Sequence, residues 1–167
     1  MPRLVRRLSD SQKVNALLAH QADGLLQSGT LGIDATPEKF KTNAILVWRR
    51  KGIQFTKAAT SALVLTAAHP VTASKCGVIL YQIDDAGVIT SKVPGATQTT
   101  TQAYATAQAA LDAKPAVTDG CTEIGHSIIT ADSGGWTALT DDMTNGSDLV
   151  TATFVNAPVK QSLPAVS

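Results

Sequence analysis

"CGVILYQIDDAGVITSKV", residues 76–93, decides the fold. Two apolar, β-branched runs flank Asp84-Asp85-Ala86-Gly87, a short glycine-containing loop, so the stretch reads as a β-hairpin. Side chains alternate along a strand with a period of two, which puts Val78 and Leu80 on one face and Ile79, Tyr81 and Ile83 on the other. Both faces are apolar. The first strand is therefore expected to be covered on both sides, by its own domain or by a neighbouring subunit.

The flanking sequence extends the same pattern. "NAILVWRRKGIQFT" (43–56) is β-branched and aromatic, with Gly52 punctuating it as a turn or bulge, and "SALVLTA" (61–67) is a further strand. Downstream, "CTEIGHSIITAD" (121–132) reads as a strand with Gly125 at a bulge or close approach. "GGWTALTDDMTNGSD" is a loop, and "LVTATFVNAP" (149–158) is a closing, alternating strand. Two helices are expected. One starts at Ser9 or Asp10 as N-cap, carries Val14, Leu17, Leu18, Ala22 and Leu25 on one face, and stops at Gly29 or earlier at Gly24. The other spans about Thr101 to Ala113, with Tyr104 and Leu111 seven apart, and is stopped by Pro115. The expected fold is α+β and β-dominated: a small antiparallel β-sandwich or barrel-like domain of six or seven strands with an N-terminal helix and one short inserted helix. Residues 1–40 form the arm and helix, 41–158 the β-rich domain, and 159–167 a C-terminal tail.

Composition narrows the class. Of 167 residues 44% are hydrophobic but only 4% aromatic, so the core rests on Val, Ile, Leu and Ala and would gain from burial between subunits. No window approaches ~18 consecutive apolar residues, and "MPRLVRRLSDSQ" lacks an apolar run behind its arginines, so neither a membrane span nor a signal peptide is expected. The net charge of +1 conceals an asymmetry, because residues 1–60 hold ten Lys/Arg against four Asp/Glu and residues 61–167 hold four against nine. A basic N-terminal segment that meets an acidic surface is the expectation. Nucleic acid is not the expected partner: "WRRKG" (48–52) is a short basic run, read as a solvated strand end, and aromatics are too few for base stacking. Cys76 and Cys121 lack metal-ligand spacing and read as two small thiols in a reducing compartment, with a disulfide as the alternative. His20 and His126 have no second ligand nearby in sequence, and neither metal nor cofactor is expected.

One motif invites a catalytic reading. "TADSGGWT" (130–137) looks like the nucleophile turn of trypsin-like serine proteases, and "VLTAAHP" (64–70) like their histidine segment, so His69, Asp84 or Asp85, and Ser133 would form the triad. That fold needs about seven strands, or about 70 residues, between histidine and serine. Only 64 positions separate His69 from Ser133, and a helix occupies part of them. Ala131 also stands where the family has a glycine whose freedom aims the oxyanion amide. The protease reading is disfavoured, and Asp132 to Gly135 is read as a polar turn.

Taken from residue 41 to 158, the order of segments resembles the capsid decoration (cement) and head-fibre type of tailed-bacteriophage virion protein. The hairpin "GVILYQIDDAGVITSKVPGA", the helix "TQAYATAQAALDAKPA", the strand and loop "EIGHSIITADSGGWTALTDDM" and the closing "VTATFVNAP" carry that resemblance. It implies a non-enzymatic homotrimer that binds the major capsid protein on the outside of a phage head, after synthesis in the host cytoplasm, and stabilises the shell. The cysteine pair and "TEIGH" depart from the family, which more often has a plain Gly-Tyr strand there, and this bears on the trimer contacts. Arg3, Arg6 and Arg7 are the expected capsid contacts. A tail-fibre, baseplate or receptor-binding component is the alternative within the same class.

Overall fold

A computed structural model describes residues 23–144 and 149–160. The central element is the one the hairpin foretold. β7 (Cys76–Asp84) is buried from Cys76 to Ile83 without a break, and β8 (Ile89–Lys92) returns beside it through the Asp84–Val88 turn. Asp84 shapes that turn by accepting from the amides of Ala86 and Val88 at 2.9 and 2.8 Å. On its other side β7 pairs with β9 (Cys121–Ala131), and β9 pairs with β10 (Leu149–Asn156). The sheet is antiparallel throughout, in the order β10-β9-β7-β8.

Two three-stranded antiparallel sheets share a core with its inner face. One runs β1 (Gly24–Gln27), β4 (Leu46–Arg50), β5 (Ile53–Lys57); the other runs β2 (Leu31–Ile33), β3 (Phe40–Thr42), β6 (Thr60–Leu63). Ile79, Tyr81 and Ile83 meet Leu25, Trp48, Phe40, Ile129 and Trp136 there, and each of these is nearly or wholly removed from water. The aromatics are few but central. Tyr81 lies between Phe40 and Phe154, with ring centroids 4.6 and 5.9 Å away, and its hydroxyl meets Ser127 Oγ at 2.9 Å, so the one polar atom of a buried ring is satisfied. On the outer face Val78 and Cys76 pack under Ala110 and Tyr104. Ala110 belongs to α1 (Ala107–Asp112), so β7 is covered on both sides by its own chain.

The fold is β-dominated, as expected, but its strands are more numerous than the sequence suggested. Ten are present among the described residues, because several runs are cut into pieces of three to five residues by tight turns. Thr30 and Lys51 adopt left-handed φ values at such cuts, Ala62 does so within β6, and Lys51-Gly52 makes the β4–β5 turn. The N-terminal helix falls on residues outside those described, except for its longer expected end. That end is corrected: Gly24–Gln27 is strand β1, paired with β4, and residues 31–33 and 40–42 likewise supply strands. The inserted helix is shorter than expected. Thr106 caps it by accepting from the Ala109 amide, and Tyr104 precedes it, bridging to Cys76 in extended backbone. Gly125 behaves as foreseen: the β7 register slips between Tyr81 and Gln82 opposite it, and a Cβ there would stand 2.5 Å from Val155 O.

Candidate functional site

The three parts of the protease-like constellation are placed on different tasks. His69 is wholly buried, with Nδ1 2.8 Å from the Gln98 carbonyl oxygen and Nε2 2.8 Å from Ser91 Oγ. A carbonyl can only accept, so Nδ1 carries the proton and Nε2 accepts from the Ser91 hydroxyl. Burial holds the ring below the ordinary histidine range, which keeps it neutral. Ser133 is exposed and donates to its neighbour Asp132 at 2.7 Å, and this bond holds the Asp132 carboxyl below its ordinary range. Gly134 N–H points at the same carboxylate, so Asp132 to Gly135 is a polar turn. Asp84 shapes the β7–β8 turn, and Asp85 pairs with Arg50 at 3.1 Å. His69 is bonded to neither Ser133 nor either aspartate.

Of the other polar candidates, Glu123 and Arg50 are paired within the chain, whereas His126 Nδ1 is buried without a hydrogen-bond partner among the described residues. Cys76 and Cys121 are free thiols at opposite ends of the β7–β9 ladder, and burial pushes the Cys121 thiol up, away from thiolate reactivity. Glu123 is pushed up by burial but held lower overall by His126 and Lys114, the latter an ion pair. His126 Nδ1 stands 3.8 Å from Glu123 Oε1, too far for a hydrogen bond. The basic run 48–52 is not the solvated end that was expected: Arg49 is buried and Arg50 is held by Asp85, which leaves Lys51 as its exposed cation. At the hairpin end of the molecule, Asp23, Arg50, Cys121, Glu123, Pro158 and Lys160 line a cleft of about 390 Å³. Asp23 accepts from the Lys51 amide at 2.8 Å, Arg50 faces Asp85, and Glu123 faces Lys114, so three of the four charged side chains of the cleft already have partners within the chain. Arg3, Arg6 and Arg7 lie outside the described residues.

What the fold does present is a strand. Along β10, Ala152 and Phe154 turn toward the core, while Thr151, Thr153 and Val155 turn outward and are exposed, Val155 to 40%. β9 is the one strand that β10 pairs with among the described residues. Residues 149–157 contain no charged side chain. Its far end is fastened, since Asn156 Oδ1 accepts from the Leu31 amide at 2.8 Å and Ala157 N donates to the Ile124 carbonyl. Sequence reading identified the alternation of this strand but not its place at the end of the strand order among the described residues.

Comparison of the chain with protein-family models, with curated proteins and with solved structures gives no match.

Proposed function

We propose that the protein is a virion structural protein of the capsid decoration type, which binds the outer surface of a phage head as a homo-oligomer and stabilises it without enzymatic activity. The observation that carries this reading is the long, uncharged strand β10, which has β9 as its one partner strand among the described residues, on a body where His69 and Ser133 are engaged separately rather than joined as a triad. Such a surface suits association with protein. The order of segments from 41 to 158 supports the decoration type, and three copies are what that resemblance implies. Arg3, Arg6 and Arg7 act as the grip on an acidic shell surface, an attraction that salt weakens.

Purified protein mixed with undecorated, expanded heads and sedimented should co-sediment with a saturable stoichiometry. Deleting residues 1–8 should leave the fold intact and lower the bound fraction, and raising salt should reproduce part of that loss. Heads that take up no protein at any salt concentration would remove the decoration reading.

A further inference from the structure

His69 is wholly buried, and its backbone has a φ of 45°, a left-handed conformation that is costly for a residue with a side chain. The fold holds the ring in place against a local preference. Three segments meet at it: its own stretch 64–70, strand β8, and residues 93–100. Ser91 ties them together. Its amide donates to Thr66 Oγ1 at 2.7 Å, its oxygen accepts from the Thr66 amide at 2.7 Å, and its hydroxyl has two acceptors within reach, His69 Nε2 at 2.8 Å and Thr66 Oγ1 at 3.0 Å. A hydroxyl has one hydrogen to give. While His69 is neutral that hydrogen goes to Nε2, because the ring's own proton is committed to the Gln98 carbonyl through Nδ1, and Thr66 Oγ1 goes without it.

We infer that His69, Ser91 and Thr66 form a proton-operated switch: a proton that arrives from solvent at Nε2 makes the ring a donor at both nitrogens, and the Ser91 hydroxyl turns from His69 to Thr66. The bonds balance on both sides. Before the change Nδ1 donates to the Gln98 carbonyl and Ser91 Oγ donates to Nε2; after it Nδ1 keeps its bond, Nε2 donates to Ser91 Oγ, and Ser91 Oγ donates to Thr66 Oγ1. The lone pairs suffice. Ser91 Oγ has two, for the Thr66 amide and Nε2–H, and Thr66 Oγ1 has two, for the Ser91 amide and hydroxyl, so no heavy atom has to move. The charged ring also makes a stronger bond to the Gln98 carbonyl than the neutral one does. Acid therefore draws the three segments together around the ring instead of expelling it.

Burial opposes the change and places it on the acid side of neutrality. Segments 64–70 and 93–100 carry no charged side chain besides His69 itself, and on β8 Lys92 donates from Nζ to the Ala116 carbonyl oxygen at 3.0 Å. On β7, Tyr81 stands opposite Ser91 in register, its hydroxyl bonded to Ser127 and its pKa pushed up by burial, so it stays neutral. Asp84, at the end of β7, is taken up by the Ala86 and Val88 amides. None of these segments brings a carboxylate to the ring, so the hydrogen-bond chain receives the proton.

The test is a pH titration of the full chain with nitrogen-labelled histidine, read by NMR from the ring nitrogens, with His69→Gln assigning the signal. Near neutral pH the His69 ring should be the Nδ1–H tautomer. As pH falls both nitrogens should protonate while the backbone amide signals of Ser91 and Val93 keep their native positions in the spectrum to within small shifts. Thr66→Val removes the acceptor that takes the Ser91 hydrogen and should lower the midpoint of His69 protonation by about half a pH unit or more. Thr66→Ser, which keeps the hydroxyl, should restore it. An Nε2–H tautomer at neutral pH overturns the inference. So does a ring that protonates only where the native signals vanish, or a Thr66→Val chain whose His69 titrates with the wild-type midpoint. Should Thr66→Val fail to fold, the tautomer and the survival of native signals in the wild-type chain decide. The switch stands or falls apart from the decoration reading, because no phage head enters this titration.

Discussion

β8, four residues long, is closed off by Thr66, His69 and Gln98, whereas β10, eight residues long, runs along the opposite side of the same sheet with Thr151, Thr153 and Val155 in solvent. The closed edge holds a buried polar network. Ser91 receives the Thr66 amide at 2.7 Å, offers its hydroxyl to His69, and is itself nearly buried. Along β10 the side-chain bond is one at its far end, from the Leu31 amide to Asn156 Oδ1, among the described residues. A network of satisfied buried groups gives stability and a single geometry but leaves nothing to offer a partner.

The sharpest way to break this comparison is at the seam that holds β10 in place. Gly125→Ala puts a methyl 2.5 Å from the Val155 carbonyl, backbone against backbone, so β10 has to shift away from β9. A loss of about 3 kcal/mol in urea unfolding is expected. An effect below ~1 kcal/mol would show that β10 can slide without cost. Next comes the closed edge: His69→Ala removes a ring that serves both Ser91 and Gln98, leaving a cavity and two unmatched polar groups, and should cost about 2–3 kcal/mol by the same measurement.

pH sharpens the difference further. His69 has a folded pKa below its ordinary value of 6.5, so the unfolded chain binds a proton more readily than the folded one. Stability from this source is complete above about pH 6.5 and declines as pH falls from there toward the folded value. Thermal melts should show a falling midpoint in that window, and His69→Gln should flatten it. Glu123, whose folded pKa lies below its ordinary 4.5, acts with the same sign in a lower window, so a drop confined to below about pH 4.5 would assign the effect to Glu123 instead. The smallest effect belongs to Ser133→Ala. This exposed turn residue should change stability by no more than ~0.5 kcal/mol, and wild-type protein should take up no fluorophosphonate label. Labelling that disappears in the alanine variant would restore a catalytic reading of Ser133.

The hairpin, the double burial of β7, the Gly52 turn, the Gly125 irregularity and the polar turn at Ser133 were legible in the residue order, because each rests on local chemistry: alternation, β-branching, and the conformations open to Gly, Asp and Ser. The end of the N-terminal helical pattern was misjudged at Leu25, whose apolar side chain suits a helix face as well as a strand. Pairing with Trp48 across the β1–β4 ladder decided it. Tyr104 was likewise drawn into a helix by its spacing from Leu111, and the exchange of backbone hydrogen bonds with Cys76 placed it in extended chain instead. His69 looked like a catalytic residue in sequence; only tertiary structure brought Ser91 and Gln98, 22 and 29 positions away, to its two nitrogens and closed it from water. The place of β10 at the end of the strand order was invisible for the same reason. Alternation is a property of one strand, but being last in a sheet depends on which strands lie beside it, and those contacts join residues far apart in the chain.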